Sequence, residues 1–179
     1  SGFGLLRMLY GAIVFTFWVF QWGDVWRYYS SAGIFAPNLT AIYQRLIYHF
    51  SILDYITAPQ AVFAIYLLLL FSALCMVVGL RPKLMTVICV LLLFSFHEHS
   101  FYMFAGGDTV LRLFGFILIL APELRAFSIE RLGPQWAQWK RFGSLLPPLK
   151  MPIWPYRLLL WQYLIIYLTS GWFKVLDPI

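Results

Sequence analysis

Apolar residues fill five stretches of this chain, and polar residues gather at the breaks between them. Crossing ~30 Å of hydrocarbon as a helix takes about 20 mainly apolar residues, and Pro, Gly and charges close such runs. Five spans are therefore expected: residues 3–22, Gln60 to Leu80, Lys83 to about His97, Thr109 to Ala121, and Pro155 to about Phe173. The third and fourth are short, so helical turns packed on protein at the membrane surface are expected to extend or join them.

Two connections are too long to be simple turns. In the first, Leu39, Ile42, Tyr43, Leu46, Phe50 and Leu53 recur at helical spacing, with Gln44, Arg45, Ser51 and Asp54 between them. That describes an amphipathic helix on the outer face, a roof for a cavity. The second contains "GPQWAQWKRF", where Pro134 can open a helix and Trp136, Trp139 and Phe142 line one face beside Lys140 and Arg141. It reads as an interfacial helix anchored on anionic lipid at the inner face.

Composition turns this outline into a class. A hydrophobic fraction of 62%, a charged fraction of 11% and a mean hydropathy of +0.79 mark an all-α integral membrane protein. The first run has no small-residue cleavage site after it and is read as a span. Cys75 and Cys89 stand alone in separate apolar runs, with neither a C-x-x-C pair nor a zinc spacing. Dithiol redox chemistry, which needs two neighbouring cysteines, is disfavoured, and no metal is expected.

The net charge of +6 first reports orientation rather than nucleic-acid binding. With the N-terminus cytoplasmic, Arg7, Arg81, Lys83, Arg125 and the basic residues from Arg131 to Arg157 fall inside. Arg27, Arg45 and Lys174 fall outside, and Arg112 lies just within the fourth span. Asp24, Asp54, Glu98, Asp108 and Asp177, five of the seven acids, land on the outer side. Polar chemistry is therefore expected on the periplasmic, lumenal or extracellular face.

Four outer-face stretches could carry it: "YYSSAGIFAPN", "FSFHEHSF", "GGDTVLR" and "SGWFK". In "GGDTVLR", Asp108 can cap the fourth helix and pair with Arg112 across one turn. Alternatively, Arg112 faces an internal polar cavity and Asp108 holds it there. His97 and His99 are candidates for acid/base or ligand contacts, or for plain interfacial residues at the mouth of the third span. Alternate helix residues point to different sides, so the pair alone makes a poor metal site. Glu98 between them completes a near-membrane ionisable cluster, which is a site hypothesis by default. Lys174 has two readings. It snorkels from a helix end, or it turns inward, where desolvation makes its amine a base. Thr169, Ser170 and Gly171 before it form a small-residue patch suited to close helix approach.

Taken in order, these motifs resemble the HTTM domain, the membrane part of vitamin K-dependent gamma-carboxylases and of bacterial relatives. The similarity covers nearly the whole chain. It is carried by Arg7 with Gly11, by "YYSSAGIFAPN", "VVGLRPK", "GGDTVLRL" and "QYLIIYLTSGWFK". Residues 1–179 are accordingly expected to form one HTTM-like membrane domain, truncated at one or both ends.

In the carboxylases a reduced vitamin K is deprotonated on the lumenal side and reacts with oxygen to become the strong base of the reaction. The resemblance implies that Lys174, three residues after Gly171, is the starting base. It also implies that His99, in "HEHS", sits by the quinone. The carboxylases have asparagines where this chain has His97 and Glu98, a departure in quinone handling. They also continue past their membrane domain into a large substrate-recognition portion, which has no counterpart within residues 1–179. Two functions follow as expectations. One is a quinone- or isoprenoid-binding protein with Lys174 and His99 as catalytic groups and His97, Glu98, Asp108 and Arg112 as ligand-binding groups. The other is a non-catalytic subunit of a larger membrane complex, making lipid, pigment or helix contacts.

Overall fold

The computed structural model describes residues 2–29, 51–56, 58–99, 106–122, 124–144, 147 and 152–176. Among these the fold is all helical: α1 (Gly2–Phe20), α2 (Val25–Tyr28), a 3-10 turn (Ile52–Asp54), α3 (Pro59–Val78), α4 (Pro82–His99), α5 (Gly106–Leu120), α6 (Ile129–Phe142) and α7 (Trp154–Leu176). Two of them, α1 and α3, are long and apolar enough to cross a membrane. The outer-face amphipathic helix expected over residues 39–54 lies mostly outside the described residues, as does most of "YYSSAGIFAPN".

Local chemistry sets the ends. Pro59 opens α3 at a position where its missing N–H costs nothing. Gly79 closes the helix in the left-handed conformation at φ 82°, its N–H donating to the Cys75 carbonyl at 2.8 Å. Helix α6 departs from the sequence reading, because it begins at Ile129 and holds Pro134 inside it. Ser128 makes the earlier start possible: its carbonyl accepts from Arg131 and Leu132 N–H. Helix α5 likewise begins at Gly106, so Asp108 sits in the first turn rather than at the cap.

Helices α1, α3, α4 and α5 pack as antiparallel neighbours. Along the first pair, Trp22 meets Phe63, the Tyr66 hydroxyl donates to the Trp18 carbonyl at 2.7 Å, and Gly11 meets Ala73. A Cβ on Gly11 would stand 2.9 Å from the Ala73 oxygen, so glycine sets this spacing. Between α4 and α5, Gly115 plays the same part against Val90, and Phe94 meets Phe116 edge to face. The resulting core joins Val14, Tyr66, Leu69, Met76, Leu93, Phe96 and Leu118.

The bundle has two polar ends. At one, Arg7 is fully buried and donates to the carbonyls of Leu124 and Phe127, both at 3.1 Å. The sequence treats Arg7 as a cytoplasmic orientation charge, but here it is a strut tying α1 to the segment before α6. The Lys83 ammonium closes the end of α5, donating to Ala121 at 2.7 Å and also to the Ile119 carbonyl. The other end carries His97.

Candidate functional site

The last two turns of α4 carry the ionisable side chains. Helix residues rotate by about 100° each, so His97 and His99 leave on different sides. His97 turns toward α5. It is 6% exposed, its Nε2 lies 3.5 Å from Asp108 Oδ1, and its Nδ1 accepts from Arg112 Nε at 3.4 Å. A ring nitrogen that accepts carries no proton, so these partners assign the neutral tautomer with its proton on Nε2, facing Asp108.

Arg112 bridges two successive α4 residues. Its Nη1 donates to Glu98 Oε1 at 2.5 Å, and its guanidinium carbon lies 4.6 Å from the Phe94 ring centroid. The planar fork of arginine suits such a bridge, with one edge on a carboxylate and one face on an aromatic ring. The expected Asp108–Arg112 element is therefore wider than one helical turn, because both residues reach across to α4.

His99 takes the opposite side. Its Nδ1 lies 3.1 Å from Asp54 Oδ1, and each side chain is 16% exposed. A serine pair holds Asp54 there. The Ser51 hydroxyl donates to the Ser95 carbonyl at 2.7 Å, and Ser95 Oγ accepts from the Ile52 N–H at 2.6 Å. Leu53, fully buried, pins the 3-10 turn from within.

Aromatic rings back both histidines. Trp18 stacks on His97 with centroids 6.0 Å apart, and Tyr29 stacks on His99 at 6.3 Å. Phe96 lies between them, 4.9 Å from Trp18 and 5.2 Å from Tyr29. The buried Trp18 indole N–H finds no hydrogen-bond acceptor among the described residues.

Of the six residues singled out from the sequence, His97, Glu98, Asp108 and Arg112 form one cluster, with His99 beside it on Asp54. Lys174 stands apart. It is exposed in the last turn of α7, and no hydrogen bond or ion pair reaches it among the described residues. Nor does the small-residue patch before it make a close helix approach there, since a Cβ on Gly171 would meet nothing within 4 Å. Asp177 lies outside the described residues. Among those described, no group of three His, Cys, Asp or Glu side chains could hold a metal ion.

Sequence reasoning missed Trp18 and Asp54 as site residues. Asp54 carries a faint signal, an acid on the same face as the histidines. Trp18 carries none, being one aromatic residue within an aromatic span. No protein-family model, curated protein or solved structure matches this chain.

Proposed function

We propose that the chain is an HTTM-type integral membrane protein whose His97 end binds a quinone or similar isoprenoid ligand in a polar cavity. Helices α1, α3, α4, α5 and α7 are its five spans in this reading, with the N-terminus cytoplasmic and the site on the opposite face. The faces turned outward support spanning. Along α1, Leu5, Leu9, Ile13 and Phe17 recur every four residues and are each about half exposed. Leu67, Phe71, Leu74 and Val78, three or four residues apart on α3, and Leu84 and Leu91, two turns apart on α4, are similarly exposed. Apolar surface on this scale is costly in water and favourable in lipid.

The observation that carries ligand binding is the His97–Arg112–Glu98–Asp108 cluster, with His97 and Asp108 buried and Arg112 and Glu98 half-buried, backed by aromatic rings. Ionisable groups inside a membrane bundle are expensive and mark sites or pathways. A quinone ring offers flat apolar faces and two carbonyl acceptors. Trp18 and Phe96, both buried, form an aromatic wall behind the cluster, and Arg112 and the Trp18 N–H supply donors for the oxygens. The isoprenoid tail leaves through the apolar helix faces. In this reading His99, oriented by Asp54, is the base, as in other carboxylate–imidazole pairs. Lys174 acts as the base only where a substitution there changes turnover and leaves affinity unchanged.

Tryptophan fluorescence of the full chain in lipid nanodiscs, titrated with a menaquinone analogue, tests the site. Saturable quenching that is lost in Trp18→Phe and weakened in Arg112→Gln is expected. Linear, unsaturable quenching in the unsubstituted protein would sink the reading.

A second reading rests on α7. Pro155 is its one buried residue among those described, while Trp161, Tyr163, Tyr167, Leu168 and Trp172 are all exposed. Such a helix suits a subunit that packs against a larger membrane complex. Its mark is a co-purifying partner that dissociates in Trp161→Ala and Trp172→Ala while quinone binding is absent throughout.

A further inference from the structure

Opposite the His97 end, the turn between α3 and α4 and the segment after α5 border an open cavity of 360 Å³. Arg81, Lys83, Arg125 and Glu130 line it, with Pro82 and Leu84. Ligand pockets typically begin at about 300 Å³, so a phosphodiester with its glycerol fits the space. Among the described residues three basic side chains line it with one carboxylate, Glu130, whose Oε1 accepts from the Arg81 backbone N–H at 2.8 Å. The Lys83 ammonium donates to two carbonyls at the end of α5. It carries three protons, so one remains for a ligand. The described lining is therefore rich in basic groups, with Glu130 and Lys83 held in a fixed frame.

Its surroundings are amphipathic. Leu84, in the cavity lining, is 46% exposed on the apolar outer face of α4. Helix α6, whose Glu130 borders the cavity, carries an exposed face of Leu132, Trp136 and Trp139. Trp136 and Trp139 stack at 5.7 Å, and the Lys140 ammonium lies 5.5 Å from the Trp136 ring centroid. Exposed tryptophans beside lysine and arginine are the usual furniture of the headgroup layer. A ligand for this corner has an anionic head for the cavity and apolar chains for the adjoining faces.

We propose that the Arg81–Lys83–Arg125 cavity is a headgroup site for an anionic phospholipid, at the end of the bundle opposite the quinone site. The proposal rests on the reading that the helices span a bilayer. It goes beyond a general lipid anchor on α6, because the phosphate is bound between elements of the bundle. Basic pockets between membrane helices are known to take anionic headgroups, each lysine or arginine strengthening the attraction.

The test uses the full chain in vesicles of equal phosphatidylglycerol and phosphatidylcholine, followed by native mass spectrometry of the retained lipid. The unsubstituted protein is expected to retain phosphatidylglycerol selectively. Removing two of the three cations in Arg81→Gln/Arg125→Gln is expected to weaken that retention about 30-fold. Lys140→Gln/Arg141→Gln removes the same charge from α6 outside the cavity and is expected to change it far less. Equal loss in both variants, or none in the first, would overturn the site, as would displacement of phosphatidylglycerol by millimolar inorganic phosphate. Resistance to alkaline extraction, read on the same vesicles, reports spanning by itself. A chain that resists extraction but shows no lipid preference overturns the cavity alone, and a chain that is extracted overturns the spanning reading with it.

Discussion

Substitution of Gly4 by alanine should break the Arg7 end of the bundle through a single methyl group. Gly4 lies on the same face of α1 as Arg7, one turn before it. A Cβ there would stand 2.6 Å from the Ala126 Cβ and 2.8 Å from the Ala126 carbonyl carbon. The latter is backbone, so no rotamer change relieves the overlap, and α1 must move away from the segment around Ala126. Overpacking of this kind costs about 1–3 kcal/mol. The same movement lengthens the two 3.1 Å hydrogen bonds from Arg7 to Leu124 and Phe127. Removing those bonds outright in Arg7→Met orphans two carbonyls at about 1–3 kcal/mol each, partly offset because a buried guanidinium no longer has to be desolvated.

The expected net loss for Arg7→Met is about 2–4 kcal/mol, and for Gly4→Ala about 1–3 kcal/mol. Because both act on one contact, the double variant should fall short of the sum by at least about 0.5 kcal/mol. Equilibrium unfolding in mixed micelles, followed by circular dichroism, measures all three. A Gly4→Ala protein as stable as the parent, or strict additivity in the double variant, would refute the strut.

Other expectations follow the same logic. Ser95→Ala removes the acceptor of the Ile52 N–H and should cost about 1–3 kcal/mol in the same unfolding assay, while freeing the 3-10 turn that presents Asp54 to His99. Arg112→Gln should weaken quinone binding at least about tenfold, as loss of a charge-assisted contact does. Glu98→Gln alone should weaken it less, and the two should not be additive, since they share the 2.5 Å ion pair. Lys174→Ala, at an exposed position, should leave stability within about 0.5 kcal/mol of the parent. An unfolding midpoint that drops sharply would mean that the lysine is packed.

Much of the helical outline is written in the sequence, because apolar runs bounded by Pro, Gly and charge are a strong local signal. The runs from Gln60 and from Lys83 meet helices Pro59–Val78 and Pro82–His99 to within a residue or two. What is not legible is whatever depends on contacts across the bundle. Arg7 looks like a surface charge until the carbonyls of Leu124 and Phe127, over a hundred residues away, are seen to receive it. Pro134 looks like a helix start, but Ser128 nucleates the turn before it. The cluster was partly readable, since "HEH" and "GGDTVLR" fall on facing ends of adjacent helices. Its division was not. The choice of Asp108 and Arg112 by His97, and of Asp54 by His99, is set by helix rotation and by the Ser51–Ser95 contact. The Gly-x-x-Lys spacing drew attention to Lys174, yet spacing along one helix says nothing about which side that helix presents.

The most direct measurement is photolabelling of the full chain in native-like membranes with an azido-quinone, mapped by peptide mass spectrometry. Labelling concentrated on the peptides that carry Trp18 and the His97–His99 turn, reduced by excess unlabelled quinone and by Arg112→Gln, is the expected result. Labelling spread over the exposed face of α7, or unaffected by competitor, would contradict a quinone site at the His97 end.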